Sequence, residues 1–149
     1  MDIREELMAD LKEAMKNKET VKKETVTGLR AAILQVEKDE QKELKEQEIF
    51  GIVAKEIKKR KDSLPDYEKA MRQDLLDKLY EEIKILKKYL PEQLSEKEIV
   101  DIVKEAIKQV GATSAKDMGK VMAEIRVKTQ GKADGKIVSD IVKAELNSL

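Results

Sequence analysis

Apolar residues recur at every third or fourth position along this chain, and no segment alternates apolar and polar residues as a half-buried strand requires. Ile3, Leu7, Met8, Leu11, Ala14 and Met15 mark one amphipathic helix over residues 3–18, with Asn17 as its stop. Val21, Thr25, Val26, Leu29, Ala32, Ile33 and Val36 mark a second over 20–38. A third starts near Glu46 and runs through Phe50, Val53, Ile57 and Leu64. The fourth, over 73–89, carries Leu75, Leu76, Leu79, Tyr80, Ile83, Leu86 and Tyr89. Even the β-branched residues keep helical intervals. The expected fold class is all-α.

Punctuation divides the chain. Pro65 either kinks the third helix or restarts it, with Asp62 or Ser63 as the cap of a restart. The nearly all-charged stretch from Glu37 to Glu48, with Leu44 its one apolar member, reads as a solvated helix end plus a connector. Pro91 ends the fourth helix, because a residue before proline avoids helical dihedrals. Ser95 and Glu98 then form a capping box, and the helix they open buries Ile99, Ile102, Val103, Ala106 and Ile107 before a Gly111 stop. Ser114 and Asp117 open the next helix, which buries Met118, Val121, Met122 and Ile125. Asp134 caps the last, which buries Ile137, Val138, Ile141, Val142 and Leu146. The expected organisation is a bundle of about four helices over residues 1–91 and a three-helix domain over 92–149, the latter small for an independent core.

Composition now narrows function. With no histidine and no cysteine, imidazole bases, thiol nucleophiles, disulfides and Cys/His zinc sites are excluded. No metal or cofactor is expected. The 31 basic and 31 acidic residues cancel, so no global charge drives the protein towards an anionic partner. Aromatics are 3% of the chain, too few for base-stacking platforms. No apolar run is long enough to span a membrane, and the charged start Met1-Asp2-Ile3-Arg4-Glu5-Glu6 is no secretory signal. A cytoplasmic protein is expected. Every Asp and Glu can be placed on an exposed helical face or at a cap, so no catalytic residue is assigned.

Four of the six glycines lie from Gly111 onward, interleaved with lysines. Between positions 120 and 136 stand five basic residues, Lys120, Arg126, Lys128, Lys132 and Lys136, against two acidic ones, Glu124 and Asp134. Such a path suits RNA phosphates, and the bland alternative is a solvated surface. A second basic run holds Lys55, Lys58 and Lys59 on one helical face, with Arg60 and Lys61 pointing elsewhere and Glu56, Asp62 and Asp66 near enough to neutralise it. Met118 and Met122 read as core packing, with a groove for a partner helix as the alternative. Gly119 reads as a point of close helix approach. Gly131 and Gly135 read as a helix stop and a small residue in the next first turn. Walker-type spacing is absent, so Gly-Lys pairs do not make a phosphate loop.

Three signals in order, Lys59-Arg60-Lys61-Asp62-Ser63, Tyr89-Leu90-Pro91-Glu92-Gln93-Leu94-Ser95 and Met118-Gly119-Lys120-Val121-Met122 with Gly131-Lys132-Ala133-Asp134, resemble the YqeY proteins of the GatB/YqeY family over essentially the whole chain. The block from Met118 onward is also similar to the tail domain of GatB, the B subunit of the glutamine-dependent tRNA amidotransferase. Those tails carry Gly-Lys-Ala-Asn-Pro where this chain has Gly131-Lys132-Ala133-Asp134-Gly135, which keeps an Asx cap and loses a proline. The resemblance implies a helical appendage that helps hold tRNA, while amide transfer belongs to other domains. A carbon–nitrogen ligase label would be inherited from the shared tail.

Together these readings point to a non-catalytic tRNA- or RNA-binding accessory protein that uses the C-terminal helices. The rival is a helical protein–protein interaction module, and the remote alternative a carbon–nitrogen ligase with glutamine as amide donor.

Overall fold

In the computed structural model, which describes residues 2–149, the apolar stripes become seven α-helices, and no strand occurs among the described residues. They are α1 (Ile3–Lys16), α2 (Thr20–Glu40), α3 (Glu46–Lys69), α4 (Gln73–Lys87), α5 (Glu96–Val110), α6 (Met118–Thr129) and α7 (Gly135–Asn147), with a 3-10 turn (Ala115–Asp117) leading into α6. The chain falls into two compact units, residues 1–90 and 91–149.

In the first unit α2 packs against α1, α3 and α4, and α3 lies along α4. Leu7, Val26, Leu29, Ile49, Val53 and Leu86 form its buried centre. In the second unit α5, α6 and α7 pack pairwise around Val103, Val121, Ile125 and Val142. Met118 and Met122 are half-buried against this cluster, which is the core role expected of them. Met15, Tyr80 and Ile137, which the periodicity places on apolar faces, stay exposed at the edges of their stripes.

The caps explain why the short helices begin and end where they do. The Ser95 hydroxyl accepts from the Glu98 N–H at 3.1 Å while the Glu98 carboxylate accepts from the Ser95 N–H at 3.0 Å. Asp134 accepts from the Lys136 N–H at 2.7 Å at the start of α7. Gly111 closes α5 with φ of +66°, in the left-handed region. Gly119 has open space where a Cβ would stand, so close helix approach is not what it provides. The two glycines should therefore respond oppositely to alanine. Gly111→Ala is expected to destabilise by about 1 kcal/mol, and Gly119→Ala to stabilise by about 0.5 kcal/mol, both measured by urea unfolding.

Two features of the first unit differ from the sequence reading. Pro65 does not restart α3, which runs unbroken to Lys69. Proline removes one backbone donor, the one that would reach the carbonyl of Lys61, an exposed residue four positions back, so the loss falls on the wet side of the helix. Ser63 is not a cap either: its hydroxyl donates back to the Lys59 carbonyl at 3.1 Å. The charged connector is also built rather than merely solvated. Leu44 is buried, its N–H donates to Glu37 at 2.8 Å, and Arg4 bridges that carboxylate (2.6 Å) and the Leu44 carbonyl (3.0 Å). Arg4 and the Leu44 N–H hold the Glu37 carboxyl below the usual range.

Candidate functional site

The basic block lies on α6, on the turn after it and at the start of α7. Val121, Ile125 and Thr129 bury the inner stripe of α6. With about 100° between successive residues, Lys120, Glu124 and Lys128 form one outward row, one turn apart. Arg126 falls on the other flank of the stripe, about 160° round from Lys128. Helix geometry thus groups Lys120 with Lys128, interposes Glu124, and separates Arg126 from both. Lys132 sits half-buried in the turn, and Lys136 is exposed in the first turn of α7. Lys120 lies 4.0 Å from Asp117, and none of the other four comes that close to a carboxylate among the described residues.

The second basic run sits on α3. Its core stripe is Ile49, Val53 and Ile57. Lys55, Lys58 and Lys59 share the opposite face, and all three are exposed. Lys59 pairs with Glu56 at 3.6 Å. Arg60 turns inward instead and joins α3 to α4 through Glu82 at 2.8 Å. That contact makes Arg60 a structural residue of the bundle.

One carboxylate departs furthest from the expectation that all are exposed or at caps. Asp10 is buried, and its Oδ2 accepts from the Tyr89 hydroxyl at 2.5 Å and the Lys88 ammonium at 3.0 Å. Burial alone raises its pKa, but the hydrogen bonds from Tyr89 and Lys88 and the charges of Lys88 and Lys22 outweigh it and hold the carboxyl below its ordinary range. Burial, then the neighbouring Asp10, push the Tyr89 phenol far up, so it stays a donor. The sequence does carry a signal for this: Ile3, Leu7, Asp10 and Ala14 are spaced as one buried stripe, and the carboxylate stands inside it. Beside this cluster a groove of about 730 Å³ runs between the start of α2 and the end of α4, lined by residues including Lys22, Lys84, Ile85 and Tyr89.

No group of three or more acidic residues among the described ones could hold a metal ion. No helix among them is long and apolar enough to cross a membrane. What the surface offers chemically is cations on short helices, able to meet phosphate oxygens by charge and hydrogen bond.

A two-unit, all-helical protein whose second unit carries a block richer in basic than in acidic residues is the class these features define. The chain matches the Yqey-like protein family over residues 4–146 and belongs to it. Among curated relatives, "Altered inheritance of mitochondria protein 41, mitochondrial" of Pyrenophora tritici-repentis is 30% identical over 125 residues, 80% of this chain and 69% of that protein. The protein of the same name from Kluyveromyces lactis is 40% identical over 84 residues, 56% of this chain and 45% of its own length. Its Vanderwaltozyma polyspora counterpart is 40% identical over 85 residues, 56% of this chain and 46% of its own. The match thus spans just under half the length of two of these three relatives.

These relatives are mitochondrial proteins, which overturns the cytoplasmic placement expected from the sequence. The features behind that expectation discriminate too little. Lack of cysteine fits any reducing or disulfide-free setting, and lack of an apolar h-region excludes only a secretory signal.

Proposed function

We propose that this protein is a non-catalytic accessory factor that binds RNA, tRNA first among candidates, through the second unit. Lys120, Lys128, Lys132 and Lys136 supply the phosphate contacts, with Arg126 on the flank. The observation that carries this reading is the lack of carboxylate partners. Four of the five cations have none within 4.0 Å, so their charge is available to a ligand. The resemblance of the block to a tRNA-holding tail supports it. Lys55, Lys58 and Lys59 on α3 form a secondary patch that could engage the same polyanion. The rival reading, a protein interaction module, draws on Ile137, which is 49% exposed next to Lys136. No bond chemistry is assigned, and sustained glutamine hydrolysis by the purified protein would overturn that part of the reading.

Titration with tRNA at several salt concentrations tests the proposal. With about four phosphate contacts, affinity is expected to fall on the order of a hundredfold between about 50 and 200 mM salt. The variant Lys120→Glu, Lys132→Glu, Lys136→Glu is expected to bind at least about tenfold more weakly with a shallower salt slope. Absence of binding at low salt sinks the RNA reading and favours the rival, which expects a co-purifying protein.

A further inference from the structure

The opening residues of the second unit reach across to the turn between α6 and α7. The Gln93 side-chain amide donates to the Gly131 carbonyl and to the Pro91 carbonyl, each at 2.9 Å. One residue on, the Leu94 N–H donates to the Lys132 carbonyl at 2.8 Å, and the Leu94 side chain packs against the second core. The turn they hold is tight. Gly131 is buried with φ of +75°, and the N–H groups of Lys132 and Ala133 both donate to the Thr129 carbonyl, at 2.9 and 3.0 Å.

This turn joins Lys128 to Lys136 and carries Lys132 itself. Its backbone path therefore decides how three of the five cations of the basic block are arranged. A turn of this length left to fluctuate would have to be ordered when a ligand binds, at the expense of affinity. Gln93 bonds to that turn from 38 residues away, and it carries no charge of its own.

We propose that Gln93 is a positioning residue for the basic face: by holding the Gly131 carbonyl it pre-organises the α6–α7 turn, so that Lys128, Lys132 and Lys136 are presented in one arrangement before RNA arrives. The effect on binding rests on the RNA reading above; the clamp itself does not. Gln93 acts through the backbone, so it should alter affinity without altering the number of phosphates neutralised. A lysine that touches phosphate alters both.

The test pairs two variants with two readouts on the full chain. Gln93→Ala removes the clamp, and Gln93→Met keeps its length without a charge while losing the donors. Amide hydrogen exchange at Leu94, Lys132 and Ala133 is expected to quicken about two- to tenfold in both, the worth of one hydrogen bond. Exchange at Val103 and Val142 should not change. Affinity for tRNA is expected to weaken by a similar factor with the salt slope unchanged. Unchanged exchange in the turn overturns the clamp. A loosened turn with undiminished affinity overturns its role in binding, as does a slope lowered by one contact. If the wild-type protein does not bind tRNA, the RNA reading fails by itself, and the exchange result alone decides the clamp.

Discussion

Replacing Asp10 by alanine is expected to destabilise the first unit by about 2–3 kcal/mol. The substitution strands the Tyr89 hydroxyl, whose residue is 3% exposed, without its 2.5 Å acceptor, and it frees the Lys88 ammonium. Tyr89→Phe should cost less, about 1–2 kcal/mol, because it leaves Asp10 paired with Lys88 at 3.0 Å. For a unit of this size the larger loss lowers the thermal midpoint by about 10–20 °C. Thermal and urea unfolding followed by tyrosine fluorescence measure it. A double-mutant cycle isolates the pair, and an Asp10→Ala variant as stable as wild type would refute the assignment.

The same carboxylate makes stability depend on acid. Its folded-state pKa lies below the ordinary value of 3.8. The Asp10 contribution is therefore fully present above that value and is lost as pH falls through the lower, folded one. Glu37, held down by Arg4, and Glu48, held down by Lys42, act in the same direction. Asp10→Asn removes one of these groups. Its stability should decline less steeply than that of wild type as pH drops below about 4, which unfolding across a pH series reads directly.

Asp10 also marks the limit of what the sequence discloses. The helices were legible because a 3.6-residue apolar period needs no knowledge of the partner surface, and α5 was legible to its ends because Ser95, Glu98 and Gly111 are local devices. Contacts between distant residues were not. Glu37 ties down Leu44 together with Arg4, 33 residues away, so a charged stretch that reads as solvated connector closes on the core. Asp10 meets Tyr89 across 79 residues, and Gln93 meets Gly131 across 38. The basic block was visible as composition, but its arrangement was not. Arg126 is close to Lys128 in sequence, yet the turn of α6 sends the two to opposite flanks. Pro65 failed as a boundary because a proline rule describes one lost hydrogen bond, and the exposed end of α3 tolerates that loss.

Ile125→Ala is expected to have the larger effect, because it strikes the smaller unit. Ile125 is 1% exposed at the centre of the α5–α6–α7 cluster. Truncating such a side chain costs about 2–5 kcal/mol. At about 0.05–0.15 kcal/mol per residue, a unit spanning residues 91–149 has a stability of only about 3–9 kcal/mol to lose. The variant should unfold its second unit at much lower urea, or lack it under ordinary conditions. The chain itself supplies the probe. Tyr67, Tyr80 and Tyr89 all lie in the first unit, so tyrosine fluorescence reports that unit alone while far-ultraviolet circular dichroism reports both. In Ile125→Ala the dichroism should lose amplitude early and the fluorescence transition should stay in place. Ile125→Val, which removes a single methylene, should shift the early phase by only about 0.5–1.5 kcal/mol. Under the RNA-binding proposal, tRNA affinity should vanish with the early phase, since the lysines keep their charge but lose the helices that arrange them. If both signals move together, the two apolar clusters do not unfold separately, and the division of labour between a scaffold unit and a cation-bearing unit falls with them.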